Sequence, residues 1–451
     1  MAAPDSLSAM KRSPLRSRRF LAVAAMEFWE RFAMYGVKSL LVLILIDHVL
    51  AGNLSHVAGA AMVRELSATL FGSVSTIGLA SQLYGYANAL IYLSIPLGGL
   101  FGDLLDNRRV MVLFGGIAML AGLGMMLQES SFLIGLIPFA AGTGLMKGNL
   151  SVQIGLLFSD EAERQRGYTI YLGFLNAGAI GGPLICGAVA LYAGPMAAIG
   201  VAALAVLIGL VLYGRYGERD QAGRIVSTPG TTVRAAPVIN TALLIAALGA
   251  VYLCFAAYEQ IGNIFLVWAR RHVDLDLHGW RMPVAWFLSL DGLATLTLIA
   301  GWQALLRMFD RRGVAIEPLV QIMVGTILCA AGYLVLTIAS ALDGATHIGW
   351  ALAYLLLVDA AIVLVWPSGL SLIAGLAPRN MVGWWTGLFY LHGFFANICV
   401  GLIGVYYDRM PTPAFWLFHA MMATFGGFVA LGAGVLLVPA LRSRQATTTS
   451  A

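Results

Sequence analysis

Ionisable residues lie inside long apolar segments of this sequence, and their types and spacing indicate what chemistry the chain can perform. Glu27, Glu30 and Arg31 stand at positions i, i+3 and i+4 of the segment EFWERFAMYGVKSLLVL, so on a helix their side chains share one face. Together they carry one net negative charge, and uptake of one proton makes the cluster neutral. Carboxyl groups in apolar segments are costly and are typical of proton relays. The cluster therefore indicates proton binding within an apolar helix.

Further ionisable residues lie in other apolar segments and give the two halves of the chain opposite charge. The first half adds Lys38 and Lys147 to the cluster, which brings its sum to +1. The second half contains Glu259, Asp291 and Asp359, which sum to −3. A cavity between such halves suits a zwitterion, with its carboxylate toward the first half and its ammonium toward the second. The alternative is that these residues form interhelical ion pairs that only hold the helices together.

The elements that must position these residues are apolar helices. Of the 451 residues, 60% are hydrophobic and only 11% are charged, whereas a soluble protein has about 25% charged residues. The mean hydropathy of +0.84 holds over the whole chain, which excludes a freely soluble enzyme and predicts an all-α integral membrane protein. Hydropathy predicts twelve spans, at residues 20–47, 74–101, 110–127, 131–157, 168–193, 196–213, 238–269, 283–305, 316–339, 347–375, 381–406 and 413–439.

Positive residues are distributed unevenly between the two sides of the predicted membrane. The termini and the even-numbered loops contain 19 of the 27 lysines and arginines, and the odd-numbered loops contain five. Because cytoplasmic loops are enriched in lysine and arginine, we expect both termini to be cytoplasmic. We expect a multi-pass protein of the cell membrane, and specifically of a bacterial inner membrane. The net charge of +5 is then explained by topology, and no nucleic-acid partner is expected.

A polar segment divides the spans six and six, and the two halves resemble each other. The loop after span 2 reads GGLFGDLLDNRRV, with Asp103, Arg108 and Arg109, and the loop after span 8 reads FDRRG. Each loop alone is compatible with an ordinary turn, but their repetition indicates a duplicated transporter fold with its site between the halves. The predicted domains are a cytoplasmic tail (1–19), a six-helix bundle (20–214), a cytoplasmic linker (215–237), a second six-helix bundle (238–439) and a cytoplasmic tail (440–451).

Several motifs resemble those of the proton-dependent oligopeptide transporter (POT) family, within the major facilitator superfamily. EFWERFAMYGVKSLLVL resembles the ExxER signature of span 1, and GTGLMKGNLSVQIG resembles the span 4 motif with its central lysine. GGLFGDLLDNRR resembles the family's loop after span 2, and YLGFLNAGAIGGPL, YEQIGN, PVAWFLSLDGL and WPSGLSLIAGLAPRNMVGWWTGLFYL resemble motifs of spans 5, 7, 8 and 10–11. The resemblance extends over nearly the whole chain. It implies the major facilitator fold, with twelve transmembrane helices in two six-helix bundles.

The resemblance also implies a function, which is proton-coupled symport of di- and tripeptides or peptide-like zwitterions by alternating access. In the family, the ExxER cluster and the span 4 lysine couple protons to transport, which assigns proton coupling to Glu27, Glu30, Arg31, Lys147 and Glu259. A basic residue further along span 1, here Lys38, helps to hold the peptide carboxylate, and Lys147 is a second candidate for that role. Groups on spans 7, 8 and 10 meet the amine, which makes Glu259 a candidate for substrate binding as well as for proton coupling. Asp103, Arg108 and Arg109 are predicted to act in conformational gating.

Three positions depart from the family's pattern. Lys38 stands where the family has arginine, Asp291 where it has asparagine, and Ile362 where it has glutamate. Because that glutamate is missing, we expect the substrate's ammonium group to bind Asp291, or more weakly Asp359, which precedes Ile362 by three residues. The alternative is that Asp291 pairs with Lys147 and that the substrate is not an amine-bearing peptide.

Other candidate residues and other classes of protein complete the predictions. Tyr35 and Tyr86 either line the substrate site or pack against neighbouring helices. Asn176 either binds the substrate or forms an interhelical hydrogen bond. The sequence lacks GxxxxGK[ST], HExxH and GxSxG, so neither an ATP-driven pump nor a membrane enzyme is expected. We predict no metal and no cofactor, with the proton as coupling ion, and a functional monomer whose partners are small peptides and the lipid bilayer. A major facilitator that carries another small solute or exports drugs is the alternative, and an integral membrane enzyme is the remote alternative.

Overall fold

Apolar helices long enough to cross a membrane make up most of the chain in a computed structural model. The structure describes residues 15, 17–158, 160–217, 238–314, 316–378 and 381–449. Within this part of the chain, twelve spans are present, as hydropathy predicts. Most of the predicted N-terminal tail (1–19) and of the predicted linker (215–237) lies outside the described residues, so the proposed domain boundaries stay predictions.

Fifteen α-helices, one short hairpin and several short helical turns are described. The helices are α1 (Arg18–Ile44), α2 (Ala60–Phe71), α3 (Thr76–Leu104), α4 (Arg108–Met126), α5 (Phe132–Leu156), α6 (Glu161–Ala193), α7 (Pro195–Tyr216), α8 (Val238–Tyr258), α9 (Ile264–His272), α10 (Trp286–Arg311), α11 (Pro318–Ser340), α12 (Ile348–Leu376), α13 (Val382–Tyr390), α14 (His392–Gly404) and α15 (Thr412–Thr449). The strands of the hairpin are β1 (Asp276–Leu277) and β2 (Trp280–Arg281). The short turns are Leu45–Val49, Leu54–His56, Glu129–Ser131, Glu259–Gly262 and Tyr407–Arg409.

Span 5 begins earlier than hydropathy predicts. Its helix, α6, starts at Glu161, whereas the apolar run starts at residue 168. The carboxylate of Asp160 accepts a hydrogen bond from the backbone N–H of Glu163, and acidic residues in the first turn are favourable at a helix N-terminus. Capping thus extends the helix through polar residues that a hydropathy window leaves out.

Two spans are interrupted near the middle of the molecule. Span 7 consists of α8, the turn Glu259–Gly262 and α9, with Asn263 outside helical geometry. Span 11 changes from α13 to α14 at Leu391. Irregular backbone at membrane depth occurs where it is buried in protein or lines a cavity. The Asn263 amide fits this rule, because it is buried and donates to the Ser81 hydroxyl at 2.6 Å.

The spans form two six-helix bundles that meet along a few helices. Spans 1–6 (α1 and α3–α7) form the first bundle, in which α1 packs against α6 and α7 and α4 packs against α5. Spans 7–12 (α8–α15) form the second, in which α11 packs against α12 and α15. Between the bundles, α3 packs against α14 and α6 against α10. Any β-carbon at Gly85 would collide with the Asn397 carbonyl, so this glycine permits the close approach of α3 to α14.

Helix α2 lies in the loop after span 1 and was not predicted. Its Ser67 side chain is buried and donates to the Gln82 amide oxygen at 2.7 Å, which fixes one face against α3. Met62, Leu66 and Leu70, spaced four residues apart, are exposed on another face. With twelve residues it is too short to be recognised as a span.

Candidate functional site

A large cavity lies between the two bundles. Its volume is about 880 Å³, and its wall is formed by α1, α3, α5 and α6 of the first bundle and α8 and α12–α14 of the second. It extends from the middle of α1 past Ser151 and Tyr168, toward the side of the molecule where the even-numbered loops lie. Its wall includes Arg31, Tyr35, Lys38, Tyr92, Lys147, Tyr171, Phe255, Ile362, Trp366, Tyr390 and His392.

On the opposite side, where the odd-numbered loops lie, side chains join the two bundles. Arg270, in the last turn of α9, forms an ion pair with Asp47 that includes an Nη2–Oδ1 contact of 3.1 Å. Arg409 donates to the carbonyls of Phe71 at 2.8 Å and Ser73 at 2.5 Å. The bundles are therefore connected on the odd-loop side, while the cavity separates them toward the even-loop side.

The structure brings the span 1 cluster together as the helical spacing predicts. Arg31 Nε lies 2.6 Å from Glu27 Oε1 and 3.5 Å from Glu30 Oε2. The Tyr171 hydroxyl, from α6, donates to Glu27 Oε2 at 2.6 Å. Both glutamates are fully buried, whereas Arg31 lines the cavity. The two carboxyl groups thus lie behind the cavity wall, and Arg31 stands between them and the cavity.

Glu30 and Lys147 are the less satisfied charged groups of the first bundle. Both carboxyl oxygens of Glu30 are buried and accept no hydrogen bond from the described residues. Lys147 lines the cavity from α5 and forms no ion pair with any described carboxylate, although it lies close enough to Glu30 for the two charges to interact. The Lys147 ammonium is therefore available to an anionic group in the cavity.

Lys38 and Glu259 form an ion pair between the bundles. Lys38 Nζ lies 2.9 Å from Glu259 Oε2, and the Tyr92 hydroxyl donates to Glu259 Oε1 at 3.1 Å. The Lys38 ammonium also lies 5.9 Å from the ring centroid of Tyr35, within the range of a cation–π contact. Lys38 lines the cavity but is already paired, so a substrate carboxylate at this position would compete with Glu259.

Asp291 and Asp359 face each other within the second bundle, on α10 and α12. The Tyr258 hydroxyl donates to Asp291 Oδ1 at 3.1 Å. Asp359 is fully buried, and neither of its carboxyl oxygens accepts a hydrogen bond from the described residues. The alternative pairing of Asp291 with Lys147 is not present among these residues. Neither aspartate is part of the cavity wall.

Other predicted substrate residues lie outside the cavity. Tyr86 is 37% exposed and lines a separate, apolar depression with Met62 and Leu83. The Asn176 amide donates to the Leu172 carbonyl of its own helix at 2.8 Å, rather than across to another helix. These positions do not bring either side chain to a solute in the cavity, and their predicted substrate-binding role is untested.

The two arginines of the loop after span 2 have different partners. Arg108 is buried, forms an ion pair with Asp103 and donates to the Asn149 amide oxygen at 3.1 Å, which ties the start of α4 to α5.

Arg109 donates to the carbonyls of Gly214 and Gly217 at 2.7 and 3.1 Å, at the end of α7. In the matching loop of the second half, Asp310 forms no ion pair with a described residue. The two loops are alike in sequence but differ in structure.

Three tyrosine hydroxyls that complete the site were not among the predicted site residues. Tyr171 contacts Glu27, Tyr92 contacts Glu259, and Tyr258 contacts Asp291. Tyr171 lies in the span 5 motif and Tyr258 precedes Glu259 in the chain, so a weak signal existed for both. Tyr92 offered none, because the sequence does not show which face of α3 is turned to span 7.

Comparisons with known proteins agree with this architecture. The family model described as Major Facilitator Superfamily matches residues 32–401, most of the chain. The chain belongs to the major facilitator superfamily. This major facilitator is 24% identical to a peptide transporter of Yersinia enterocolitica, over 86% of this chain and 88% of the relative. It is 29% identical to a di-/tripeptide transporter of Lactococcus lactis, over 60% of this chain and 52% of the relative.

The fold is also that of solved transporters. The crystal structure of a peptide transporter, POT, in complex with sulfate superposes on this major facilitator with a TM-score of 0.78 at 19% identity, covering 93% of this chain and 95% of the other. This confirms the fold, with twelve spans in two six-helix bundles. Together with the relatives, it confirms the resemblance to the POT family that the motifs indicate. The relatives are transporters, and the protein is a multi-pass membrane protein.

Proposed function

We propose that this major facilitator imports di- and tripeptides, or peptide-like zwitterions, together with protons by alternating access. The observation that carries the proposal is the cavity between the bundles, with Arg31, Lys38 and Lys147 on its first-bundle wall. Three basic side chains on one wall suit a substrate with a carboxylate, and the relatives named as peptide transporters support a peptide.

Lys147 is the first contact that we assign to the substrate carboxylate, because it forms no ion pair with a described residue. Lys38 is the second contact, and its ammonium group would leave the Glu259 carboxylate and bind the substrate carboxylate instead. Because Glu259 then loses its ammonium partner in a buried position, uptake of a proton by Glu259 becomes favourable. Binding of the carboxylate at Lys38 is therefore linked to a proton equilibrium at the contact between the bundles, which can bias alternating access.

Proton coupling in the first bundle is assigned to Glu27, Glu30 and Arg31. Arg31 separates the two carboxyl groups from the cavity, so a substrate carboxylate near Arg31 or Lys147 competes with Glu30 for positive charge. A proton on Glu30 relieves that competition. One proton would therefore accompany each substrate carboxylate through this cluster.

The ammonium group of the substrate is assigned to the second bundle. Ile362 lines the cavity where the family has glutamate, so this part of the wall offers no charge. Asp291 lies behind this wall, half-buried next to Tyr258, and we assign the ammonium to its carboxylate, which a substrate would reach by displacing side chains of the wall. Asp359, which is fully buried, is the less accessible candidate.

The proposed orientation places both termini and residues 215–237 in the cytoplasm of a bacterial cell, with the cavity open to that side. The protein is proposed to act as a monomer. Reporter fusions at the C-terminus and within residues 215–237 should both give a cytoplasmic signal. A periplasmic signal from either fusion contradicts the orientation.

The test of function is uptake by purified protein in liposomes. An inward proton gradient should drive accumulation of a labelled dipeptide, and unlabelled di- and tripeptides should compete while an amino acid and a tetrapeptide should not. Accumulation that is independent of the gradient contradicts proton coupling. Transport of another solute, or export of drugs against the gradient with no effect of peptides, supports the alternative function instead.

A further inference from the structure

We propose that Asp291 and Asp359 form a second proton-binding site, in which the two carboxyl groups share one proton. The site lies within the second bundle, on α10 and α12, and uses different carboxyl groups from those of the span 1 cluster and the Lys38–Glu259 pair. It is a property of the resting protein and does not depend on the identity of the substrate.

The first observation is the position of Asp359. Its carboxyl group is fully buried, and both oxygens lack a hydrogen-bond donor among the described residues. A buried carboxylate without donors or a counter-ion is strongly disfavoured, and such a group normally takes up a proton instead. Asp359 is therefore the carboxyl group that carries the proton.

The second observation is that Asp291 faces Asp359 and has a different environment. Asp291 Oδ1 accepts a hydrogen bond from Tyr258 at 3.1 Å, which stabilises the charged form of the carboxylate. Two carboxylates that face each other repel when both are charged, and one proton between them removes the repulsion. The Asp359 hydroxyl thus donates to the Asp291 carboxylate, and the pair carries one negative charge.

A third polar group points to the same place. The hydroxyl of Thr295, one turn after Asp291 on α10, is buried next to Asp359 and has no hydrogen-bond partner among the described residues. When Asp359 is protonated on one oxygen, its other oxygen is an acceptor for this hydroxyl. Either form of Asp359 can accept from this hydroxyl, so Thr295 is compatible with the shared proton and does not decide where the proton lies.

The charged and titratable groups around the pair do not supply a counter-ion. Those that interact with one or both aspartates are Lys38, Tyr84, Tyr258, Glu259 and Tyr354, contributed by α1, α3, α8, the turn after α8 and α12. Lys38 is the basic residue of this set, and its ammonium is bound to Glu259. Since the Lys38–Glu259 pair is neutral as a whole, a proton is the cation left to balance the two aspartates.

Infrared spectroscopy of the purified protein in liposomes at neutral pH tests the site directly. A protonated carboxyl group has a C=O stretching band, distinct from the carboxylate bands, that shifts in D2O. Asp359→Asn should lose this band with no loss of carboxylate absorption, because Asp291 stays charged. Asp291→Asn should lose carboxylate absorption and keep the C=O band at a shifted frequency, because the acceptor of the proton has changed from a carboxylate to an amide.

The matched control is Asp310→Asn, which removes an exposed carboxylate at the other end of α10 and should reduce only carboxylate absorption. Loss of carboxylate absorption in Asp359→Asn shows that both aspartates are charged and overturns the proposal. An unshifted C=O band in Asp291→Asn shows that the proton is not shared and also overturns it. If Asp359→Asn does not fold, the shift of the C=O band in Asp291→Asn still shows whether the two aspartates share a proton. None of these spectra depends on transport. The proposed function can therefore be wrong while this site is correct, and this site can be wrong while the proposed function is correct.

Discussion

The two bundles balance their buried charges in different ways. In the first bundle, Glu27 and Glu30 contact Arg31, and the basic Lys147 lies nearby. In the second bundle, Asp291 and Asp359 face each other and a tyrosine hydroxyl, with no base of their own. Among the described residues, the two buried glutamates of the first bundle have an arginine and a lysine close by, whereas the two aspartates of the second bundle have no lysine or arginine of that bundle beside them.

The contact between the bundles makes the difference in their net charge smaller than the sequence suggests. The apolar segments of the sequence sum to +1 and −3, but Lys38 of the first half pairs with Glu259 of the second. Without this neutral pair, the first bundle has as many bases as acids, and the second has two acids. Under the proposed function, a proton or the substrate's ammonium group balances the charge of the two aspartates. We therefore expect recognition of an amine to depend on the second bundle more than on the first.

The largest effect is expected in the first bundle. Glu27→Gln or Glu30→Gln mimics the protonated state of the cluster permanently, so gradient-driven accumulation of dipeptide should be abolished. Exchange of labelled for unlabelled dipeptide without a gradient should still be measurable. Glu65→Gln, which changes an exposed glutamate of α2, is the control and should accumulate substrate at the parental rate. Parental accumulation by both cluster variants would show that the proton is coupled elsewhere.

The next effect concerns the pair that joins the bundles. Lys38→Met alone leaves Glu259 buried without its partner, which typically costs about 3–5 kcal/mol, and Glu259→Leu alone leaves the Lys38 ammonium unpaired. The double variant should be more stable than either single variant, because no charge is left unpaired. Thermal unfolding of the three proteins in detergent measures this cycle. Additive losses would mean that the two charges do not stabilise each other.

A smaller effect is expected for recognition of the substrate's amine. Asp291→Asn restores the family's residue and removes the charge, so a free-amine dipeptide should lose a charge-assisted hydrogen bond worth about 1.5–3 kcal/mol. Binding of the N-acetylated dipeptide should change little. Competition against labelled substrate measures both affinities. Equal losses for the two ligands would point to a role in folding and remove Asp291 from the amine site.

The smallest effects compare the two loops that resemble each other in sequence. Arg108→Gln removes the contacts to Asp103 and Asn149, and loss of hydrogen bonds to a buried charged group costs about 1.5–3 kcal/mol. Arg311→Gln, at the matching loop, changes an exposed side chain without an ion pair to a described residue, so its effect should stay within about 0.5 kcal/mol. Unfolding temperatures of both variants measure the difference. Equal destabilisation would mean that the two loops have the same structural role.

Much of the fold could be predicted because its causes are local in the chain. Spans follow from runs of apolar residues, and most helices begin and end within a few residues of the predicted positions. The exceptions are the start of α6, where the capping by Asp160 adds polar turns, and the ends of α10 and α15, which continue to Arg311 and Thr449. The contacts of Arg31 with Glu27 and Glu30 follow from the rise and twist of one helix.

What only the tertiary structure decides is which spans face each other and by which side. Lys38 and Glu259 are 221 positions apart, and their pairing depends on the rotation of α1 and on the break in span 7. The position of Asp291 opposite Asp359, and that of Tyr86 outside the cavity, depend on the packing of separate helices. Hydropathy determines that a segment enters the membrane, since that depends on its composition alone. The partners of a buried charge depend on helix rotation and close packing, which involve residues far apart in the sequence.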